Sequence, residues 1–327
     1  MGLCSHRWRS AVMKPARTLA YLIALACPIS LAGPAKSQNA SRPDEALTVC
    51  LQSNDPPLSS HGGETPGGFD LALSQHIAQD LGRELRVQWF VSRDDPDANL
   101  AKDANALLSD GRCQLLAEYP LLNSTLERPH APTAKLPPFD GATPEDRHRW
   151  VKMNALAATR PYRLDTRTVV LSEHNANRTV RHLADLDDLR VGVQIATLPD
   201  AIAMNYGNGR LIEHVLHMPD ARDLFRALQA GKIDAAFVDA RAFDAWRDAH
   251  GSAGLAASGY VHSVAFNMGF IGLASNIPLI TQVDAVLADL QAHYAVAPMA
   301  AKAGLTFIPP ETPAVRPDVG PTALQGD

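Results

Sequence analysis

Two aspartates stand at the ends of a short apolar run in "GKIDAAFVDARAF", residues 231–243. Asp234 precedes the run Ala235–Val238, and Asp239 follows it. In an open sheet of parallel strands, ligands bind beyond the carboxyl ends of the strands, so Asp239 is placed to contact a ligand. The alternative role for Asp239 is that of a hinge or helix-cap residue, and Asp234 is interpreted as a turn residue.

Other polar side chains stand at the same kind of position. "LTVCLQS" and "CQLLAEY" are apolar runs typical of buried strands, and "LRVGVQIA" leads into a helix start. If these strands are parallel, the residues that follow them meet at one edge of their sheet. The residues selected by this rule are Asn54, Asp55, Glu118, Tyr119 and Thr197.

The sequence contains no recognisable catalytic or metal-binding motif. His214 and His217 are three residues apart in "EHVLH", but no third ligand stands at a suitable spacing, so a solvated helix face is the better interpretation. No serine occupies a nucleophile elbow, and "GNG" and "HGGETPGG" lack the strand-to-helix context of a phosphate-binding loop. We therefore expect no catalytic residue, no metal and no cofactor. Glu118 could act as an acid in an enzyme, although a rim or cap carboxylate is the simpler interpretation.

Charge is distributed unevenly along the chain of 327 residues. Five of its 30 basic residues and none of its 35 acidic residues lie in the first 37 positions, so the remainder carries a net charge of −10. That charge argues against binding to nucleic acid or to an anionic membrane. The apolar content of 46% is that of a globular protein with one or two domains.

Residues 1–37 have the pattern of a secretory signal peptide. Arg7, Arg9, Lys14 and Arg17 precede the apolar run "TLAYLIALA", and small residues follow it. We therefore predict export to the periplasm. Cys27 also permits a lipoprotein signal, although Ala24 stands where such signals usually have leucine.

Removal of the signal peptide would leave two cysteines, Cys50 and Cys113. In an oxidising compartment they predict a disulfide, and the alternative is two buried free thiols.

The chain repeats one plan twice. "LTVCLQS" is echoed by "LRVGVQI", and "SDGRCQLLAEY" by "QAGKIDAAFVD". Each half reads as strand, helix, strand, helix, glycine turn and strand, which indicates parallel sheets built from crossover units. Residues 133–150 fit no period and are interpreted as an inserted loop. Residues 311–327 are rich in proline and predict a disordered tail.

The ordered segments resemble the extracytoplasmic solute-binding proteins of the polar-amino-acid type. The matching pieces include "LTVCLQSNDPPLS", "GGFDLALSQHIAQDLG", "TRPYRLDTRTVVL" and "GKIDAAFVDA". The resemblance implies a two-lobed α/β fold, the type 2 periplasmic binding protein fold, in which each lobe is a mostly parallel sheet flanked by helices and two crossing strands form a hinge. It implies lobe 1 at residues 46–162 plus 266–310 and lobe 2 at 167–260.

The family also implies roles for residues at matching positions. Thr125 and Arg128 match its "T-x-x-R", which binds a ligand carboxylate through the planar guanidinium. Thr197 adds a hydroxyl and backbone N–H groups for the same anion, and Asp239 pairs with the ligand ammonium. Asp55 and Pro57 lie in the loop that lines the pocket.

This sequence departs from the family pattern at three places. Ala196 replaces the glycine that usually precedes the threonine, and Leu58 replaces an aromatic residue. About 30 residues separate Arg128 from "ATRPYR", where the family has a short connection, so Arg160 or Arg163 could replace Arg128.

The resemblance implies that the protein captures a small polar, amino-acid-like solute for an ABC transporter permease, and we expect a monomer. One alternative follows from a narrower resemblance, carried by "LTVC", "RVQWF" and "GRCQLL", to accessory proteins of quinoprotein (PQQ) alcohol dehydrogenases. Those proteins would bind a dehydrogenase or cytochrome c, but they typically have "W-G-P" where this chain has "VDARAF". The other alternative is a dehydratase of prephenate-like acids on the same fold.

Overall fold

The computed structural model of the protein describes residues 46–63, 65–92, 100–127 and 132–327. The predicted signal peptide and Arg128 lie outside these residues. The strands are β1 (Leu47–Gln52), β2 (Asn54–Asp55), β3 (Ser59–Ser60), β4 (Leu85–Phe90), β5 (Leu115–Pro120), β6 (Thr133–Lys135), β7 (Trp150–Lys152), β8 (Leu156–Ala158), β9 (Arg163–Asp165), β10 (Arg167–Leu171), β11 (Val191–Gln194), β12 (Val215–Met218), β13 (Ala235–Asp239), β14 (Ala256–Ala257) and β15 (Phe266–Leu273). The helices are α1 (Phe69–Asp80), α2 (Leu100–Ser109), α3 (Asn123–Leu126), α4 (Leu198–Asn205), α5 (Ala221–Gln229), α6 (Ala240–His250), α7 (Ile277–Ala292) and α8 (Val296–Lys302).

The first lobe is built on a sheet with strand order β4-β1-β5-β15-β8, and β9 also pairs with β15. β1 is parallel to β4 and β5, whereas β15 is antiparallel to its neighbours. Val49 and Leu51 pack with α1 and α7 on one face, while Leu116 packs with α2 on the other. Burial on both faces explains why these strands read as continuous apolar runs.

The second lobe repeats the arrangement with the order β12-β11-β13-β10-β14. β11 is parallel to β12 and β13, and β10 is antiparallel to β13. Ala235 and Phe237 face one core cluster, and Ala236 and Val238 face the other. The predicted order of strand, helix, strand, helix and strand is confirmed in both lobes.

The chain passes between the lobes at Thr166. The preceding strand, β9, pairs with β15 in the first sheet, and the following strand, β10, pairs with β13 in the second. It returns from β14 to β15. The two connections are the crossing strands that the sequence predicted.

The predicted disulfide is confirmed between Cys50 and Cys113. Cys50 lies on β1, and Cys113 lies two residues before β5, the neighbour of β1 in the sheet. The bond closes a segment with a sequence separation of 63 residues.

The insertion at residues 133–150 is more ordered than the loop that its composition predicted. β6 and β7 form a small antiparallel sheet beside α2. Leu136 and Phe139 of the insertion, and Val151 directly after it, join the core cluster that contains Leu116. The insertion therefore covers one face of lobe 1.

Residues 311–327, for which the sequence predicted a disordered tail, contact both lobes in the structure, and we call this segment the strap. The backbone of Arg316 bonds to Leu121 and Asn123 of lobe 1. Farther along, the Asp327 carboxylate accepts hydrogen bonds from the Tyr206 and Tyr260 hydroxyls of lobe 2 at 2.8 and 2.9 Å. Proline-rich composition predicted disorder because such a segment forms no core of its own, but the strap packs on both lobes.

Among the described residues, no helix combines the length and apolar composition of a membrane span.

Candidate functional site

A cavity of about 480 Å³ opens at the cleft between the lobes. Its lining combines the loop after β1 in lobe 1 with the ends of β11 and β13 and the helices α5 and α6 in lobe 2. Of the residues predicted to contact a ligand, Asp55, Thr197 and Asp239 line it. The other lining residues are Pro56, Gln194, Ala221, Arg222, Phe225, Arg241, Ala242, Ala245, Trp246, Ala249 and His250.

A chain of alternating charges lies beneath this cavity on the crossing strands. Arg163 on β9 donates to Glu118 at the end of β5 and contacts Asp165 at 3.2 Å. Arg167 on β10 contacts Asp165 at 3.0 Å and Asp239 at 2.9 Å. Glu118 of lobe 1 and Asp239 of lobe 2 are thus joined through the hinge. Burial costs ionised groups much of their hydration, and each arginine offsets that cost by pairing with two carboxylates.

The backbone at Glu118 is unusual. Its φ is +59°, a left-handed value that is rare for residues other than glycine. The pairing of β5 with β15 shifts register between Gly269 and Ile271, which is a β-bulge. A bulge interrupts the alternation of side chains, and here it accompanies the placement of Glu118 beside Arg163.

At Asp165 burial raises the pKa, but Arg163 and Arg167 outweigh burial and hold the pKa below its ordinary value. Elsewhere in the charge chain burial prevails. It raises the pKa of Glu118 from its ordinary value of 4.5 to about 7, with Arg163 opposing the shift and Asp165 adding to it. Burial likewise raises the pKa of Asp239, opposed by Arg167. Asp70, which accepts a hydrogen bond from the Tyr162 hydroxyl, also has a pKa well above its ordinary range because it is buried.

Stability should therefore depend on the protonation of Glu118. Between pH 4.5 and 7 the folded protein retains a proton that the unfolded chain has released, so the free energy of unfolding falls as the pH rises. We expect this group to contribute a fall of about 2–3 kcal/mol between pH 5 and 8. Urea unfolding of the wild type and Glu118→Gln at several pH values measures it. The difference between the profiles reports the titration of Glu118 together with its effect on the pKa of Asp70, which the Glu118 charge helps to raise. Parallel profiles would contradict the assignment.

One ion pair crosses the mouth of the cleft. Arg241, the second residue of α6 in lobe 2, donates through Nη1 to Asp55 Oδ1 in lobe 1. The two side chains are 35% and 14% exposed, so this pair is wetter than the one between Arg163 and Glu118.

At the N-terminus of α4, Thr197 provides a hydroxyl, but the N–H of the preceding Ala196 already donates a hydrogen bond within the protein. Thr197 Oγ1 donates to the Gln194 carbonyl at 2.7 Å and caps the helix by accepting from Asp200 N. The Asp200 carboxylate accepts the N–H of Ala196 at 3.0 Å and contacts His217 at 3.0 Å. A carboxylate of the chain itself thus occupies part of the anion site that the sequence predicted.

The backbone conformation at Ala196 is one that favours glycine. Its φ of +61° is left-handed and places the Cβ atom close to the following carbonyl. Ala196→Gly should raise the free energy of unfolding by about 0.5–1 kcal/mol, because the relieved strain exceeds the added entropy of the unfolded chain. Ala201→Gly, inside α4, is the matched control and should lower it by about 1 kcal/mol. Urea unfolding compares the two, and a loss of stability in both would contradict strain at Ala196.

The remaining predicted residues do not line the cavity. Tyr119 is fully buried in a lobe 1 core cluster, and its hydroxyl donates to the Thr125 carbonyl. Thr125 Oγ1 donates to Pro120 O, a local bond that helps to begin α3. Arg160 pairs with Asp284 on α7. Internal contacts thus engage all three of these side chains, and none of the three lines the cavity.

Two further predicted residues, Asn54 and Pro57, stand on either side of the cavity-lining residues Asp55 and Pro56 in the sequence. Asn54 is exposed on β2, and Pro57 is buried next to the cavity-lining Pro56. Glu118 lies beneath the cavity and is not one of its lining residues.

Sequence reasoning did not select Asp165, Arg167 or Arg241. A signal for the first two was present, because "RLDTR" places three charges at every second position within an apolar strand. Side chains two residues apart share a face of a strand, so such a pattern indicates a buried ionic face. No comparable signal distinguishes Arg241 from any other charged residue at the start of a helix.

A second cavity lies outside the cleft. A cavity of about 790 Å³ in lobe 1 is lined mainly by residues 135–142 of the insertion, and it contains none of the predicted site residues. Among the described residues, no group of three or more His, Cys, Asp or Glu side chains has an arrangement that could hold a metal ion.

Comparison with known proteins identifies the fold. No protein-family model and no curated protein matches the chain. The L-cystine solute receptor of Neisseria gonorrhoeae, in its unliganded open conformation, is similar with a TM-score of 0.55 and 15% identity over 81% of this chain and 95% of that one. An ancestral cationic amino acid solute-binding protein has a TM-score of 0.52 and 16% identity over 79% and 94%.

A histidine kinase sensor domain with similarity to periplasmic binding proteins has a TM-score of 0.50 and 16% identity over 81% of this chain and 98% of that one. The chain therefore has the two-lobed fold of periplasmic binding proteins, as the sequence predicted. These likenesses concern the fold, which also serves in a sensor domain.

Proposed function

We propose that this protein is an extracytoplasmic solute-binding protein that captures a small polar, amino-acid-like solute between its lobes and delivers it to an ABC transporter. The observation that carries the proposal is the cleft cavity, where Asp55 of lobe 1 meets Asp239, Thr197 and Arg241 of lobe 2. Opposite charges supplied by two lobes suit a ligand that carries both an ammonium and a carboxylate.

Several observations support binding over the alternatives. Solved structures with this fold include an L-cystine receptor and a cationic amino acid solute-binding protein. The dehydratase alternative lacks similar support, because Glu118, its acid, is paired with Arg163 beneath the cavity. The accessory role in a quinoprotein system has no support beyond the segments that suggested it. Export to the periplasm remains part of the proposal and agrees with the disulfide.

A thermal-shift screen tests solute capture. The mature protein is unfolded and refolded with its disulfide intact to remove any co-purified solute, and it is then screened against amino acids, polyamines, organic acids and short alcohols. A solute at 100 times its Kd stabilises the folded state by about 2.7 kcal/mol, which is a shift of several degrees for a protein of this size. A flat profile across the panel would overturn the proposal.

The two aspartates of β13 provide a matched pair of variants. Asp239→Asn should weaken binding of the identified solute by more than ~10-fold, because it removes a charged partner at the cavity. Asp234→Asn alters the carboxylate at the other end of the same strand, which pairs with Arg190, and should leave binding unchanged. Uptake of the identified solute by cells with and without this protein then tests delivery to a transporter.

A further inference from the structure

Arg160, Arg163 and Arg167 lie near the cleft and differ in their burial and in the number of carboxylates that each contacts. Arg160 pairs with Asp284 on α7, away from the cavity. Arg163 and Arg167 are nearly buried, and each contacts two carboxylates of the charge chain. None of these three lines the cavity.

Arg241 differs from these three in its position at the cavity and in the partner that it binds. It lines the cavity, a third of its side chain is exposed, and its ion pair with Asp55 joins opposite lobes. Separation of the lobes by hinge motion would break this pair without unfolding either lobe. The guanidinium would then present its planar donors to the open cleft, where a carboxylate can bind them bidentately.

We propose that Arg241 binds the carboxylate of the solute while Asp55 binds its cationic group, so that a zwitterion replaces the ion pair between the lobes. The inference rests on the proposed function and names the class of solute. On binding, Arg241 exchanges the Asp55 carboxylate for the solute carboxylate, and Asp55 exchanges the Arg241 guanidinium for the cationic group of the solute. The ion pair of the ligand-free protein therefore competes with the solute.

The charge balance of the cleft favours a zwitterion over a dianion. The four carboxylates of Asp55, Glu118, Asp165 and Asp239 are matched by four guanidiniums, those of Arg163, Arg167 and Arg241 and that of Arg222, which also lines the cavity. A solute with no net charge leaves this balance unchanged. A dicarboxylate would add two negative charges beside Asp55 and Asp239, and like charges repel strongly in a partly desolvated site.

The test uses each of the twenty standard L-amino acids and its α-carboxamide, which retains the ammonium but lacks the carboxylate. Binding is measured by titration calorimetry on the refolded, disulfide-intact protein. For the amino acid that binds most tightly, the carboxamide should bind wild type about 10- to 100-fold more weakly, as expected for a lost charge-assisted pair. Arg241→Gln should weaken binding of the acid by a similar factor and abolish the preference for acid over amide.

Arg226→Gln is the matched control, since Arg226 is an exposed arginine on α5 that does not line the cavity. It should retain both the affinity and the preference. Melting temperatures without solute verify that both variants are folded, and Arg241→Lys should recover part of the preference because it restores the charge without the planar fork.

The outcomes separate this inference from the function on which it rests. A wild-type protein that binds no member of the panel overturns the proposed function and the inference together. A wild type that binds an amino acid, while folded Arg241→Gln retains the preference for acid over amide, leaves solute capture standing and overturns the assignment of Arg241.

Discussion

The substitution Arg163→Met is expected to lower the free energy of unfolding by about 3–5 kcal/mol. The Arg163 side chain is 4% exposed, and its removal leaves Glu118 and Asp165 close together with one fewer positive charge between them. Buried carboxylates cannot regain their hydration without opening the hinge, so the folded state carries the cost. Urea unfolding at pH 7, monitored by circular dichroism, measures the loss.

Arg160→Met is the control for this prediction. Arg160 is only three residues away and also forms an ion pair, but its side chain is 40% exposed and that of Asp284 is 31% exposed. Exposed pairs contribute about 0–1 kcal/mol, so this variant should unfold almost like the wild type. The double variant Arg163→Met/Glu118→Gln should recover part of the loss, because it removes one of the carboxylates left unpaired. Equal stability of the two single variants would contradict the role given to the buried chain.

Removal of the disulfide is expected to have the other large effect. Cys50→Ala/Cys113→Ala should lower the free energy of unfolding by about 4 kcal/mol, since the bond restricts a segment with a sequence separation of 63 in the unfolded chain. Both cysteines are buried, so alanine also removes some packing.

Reduced wild-type protein separates those two contributions. Wild type that is unfolded and refolded in dithiothreitol retains both thiols, and its stability should fall most of the way to that of the double variant. Urea unfolding of the oxidised, reduced and substituted proteins makes the comparison. A reduced protein within about 1 kcal/mol of the oxidised one would show that β1 and β5 need no covalent link.

The buried charge chain and the mouth of the cleft have different physical roles. Arg163, Asp165 and Arg167 lie on the crossing strands, where a change in their contacts would disturb the hinge itself. The pair between Asp55 and Arg241 is more exposed, and its partners belong to opposite lobes. An exchange of this outer pair for a solute would leave the inner chain in place.

Local patterns in the sequence determined the elements and their order. Apolar runs, helix caps such as Thr197 and glycine turns such as Gly231 act over a few residues, so they are readable without the fold. The cysteine count predicted the disulfide, and the rule for strand ends placed Asp55, Thr197 and Asp239 at one cavity. The same rule also selected Tyr119, whose side chain lies in a core cluster, because residues that end a strand can face its core.

Only the tertiary structure decided which charges meet. The paired residues come from distant parts of the chain: 45 positions separate Glu118 from Arg163, 72 separate Arg167 from Asp239, and 186 separate Asp55 from Arg241. An ion pair depends on spatial separation and burial, which sequence distance does not reveal. The same reason explains the strap, whose proline-rich composition predicted disorder while its stabilising contacts lie on both lobes. Preferences for strands, helix caps and turns depend on neighbouring residues and can therefore be read from the sequence. The partners of a buried charge depend on which distant segments the folded chain brings together.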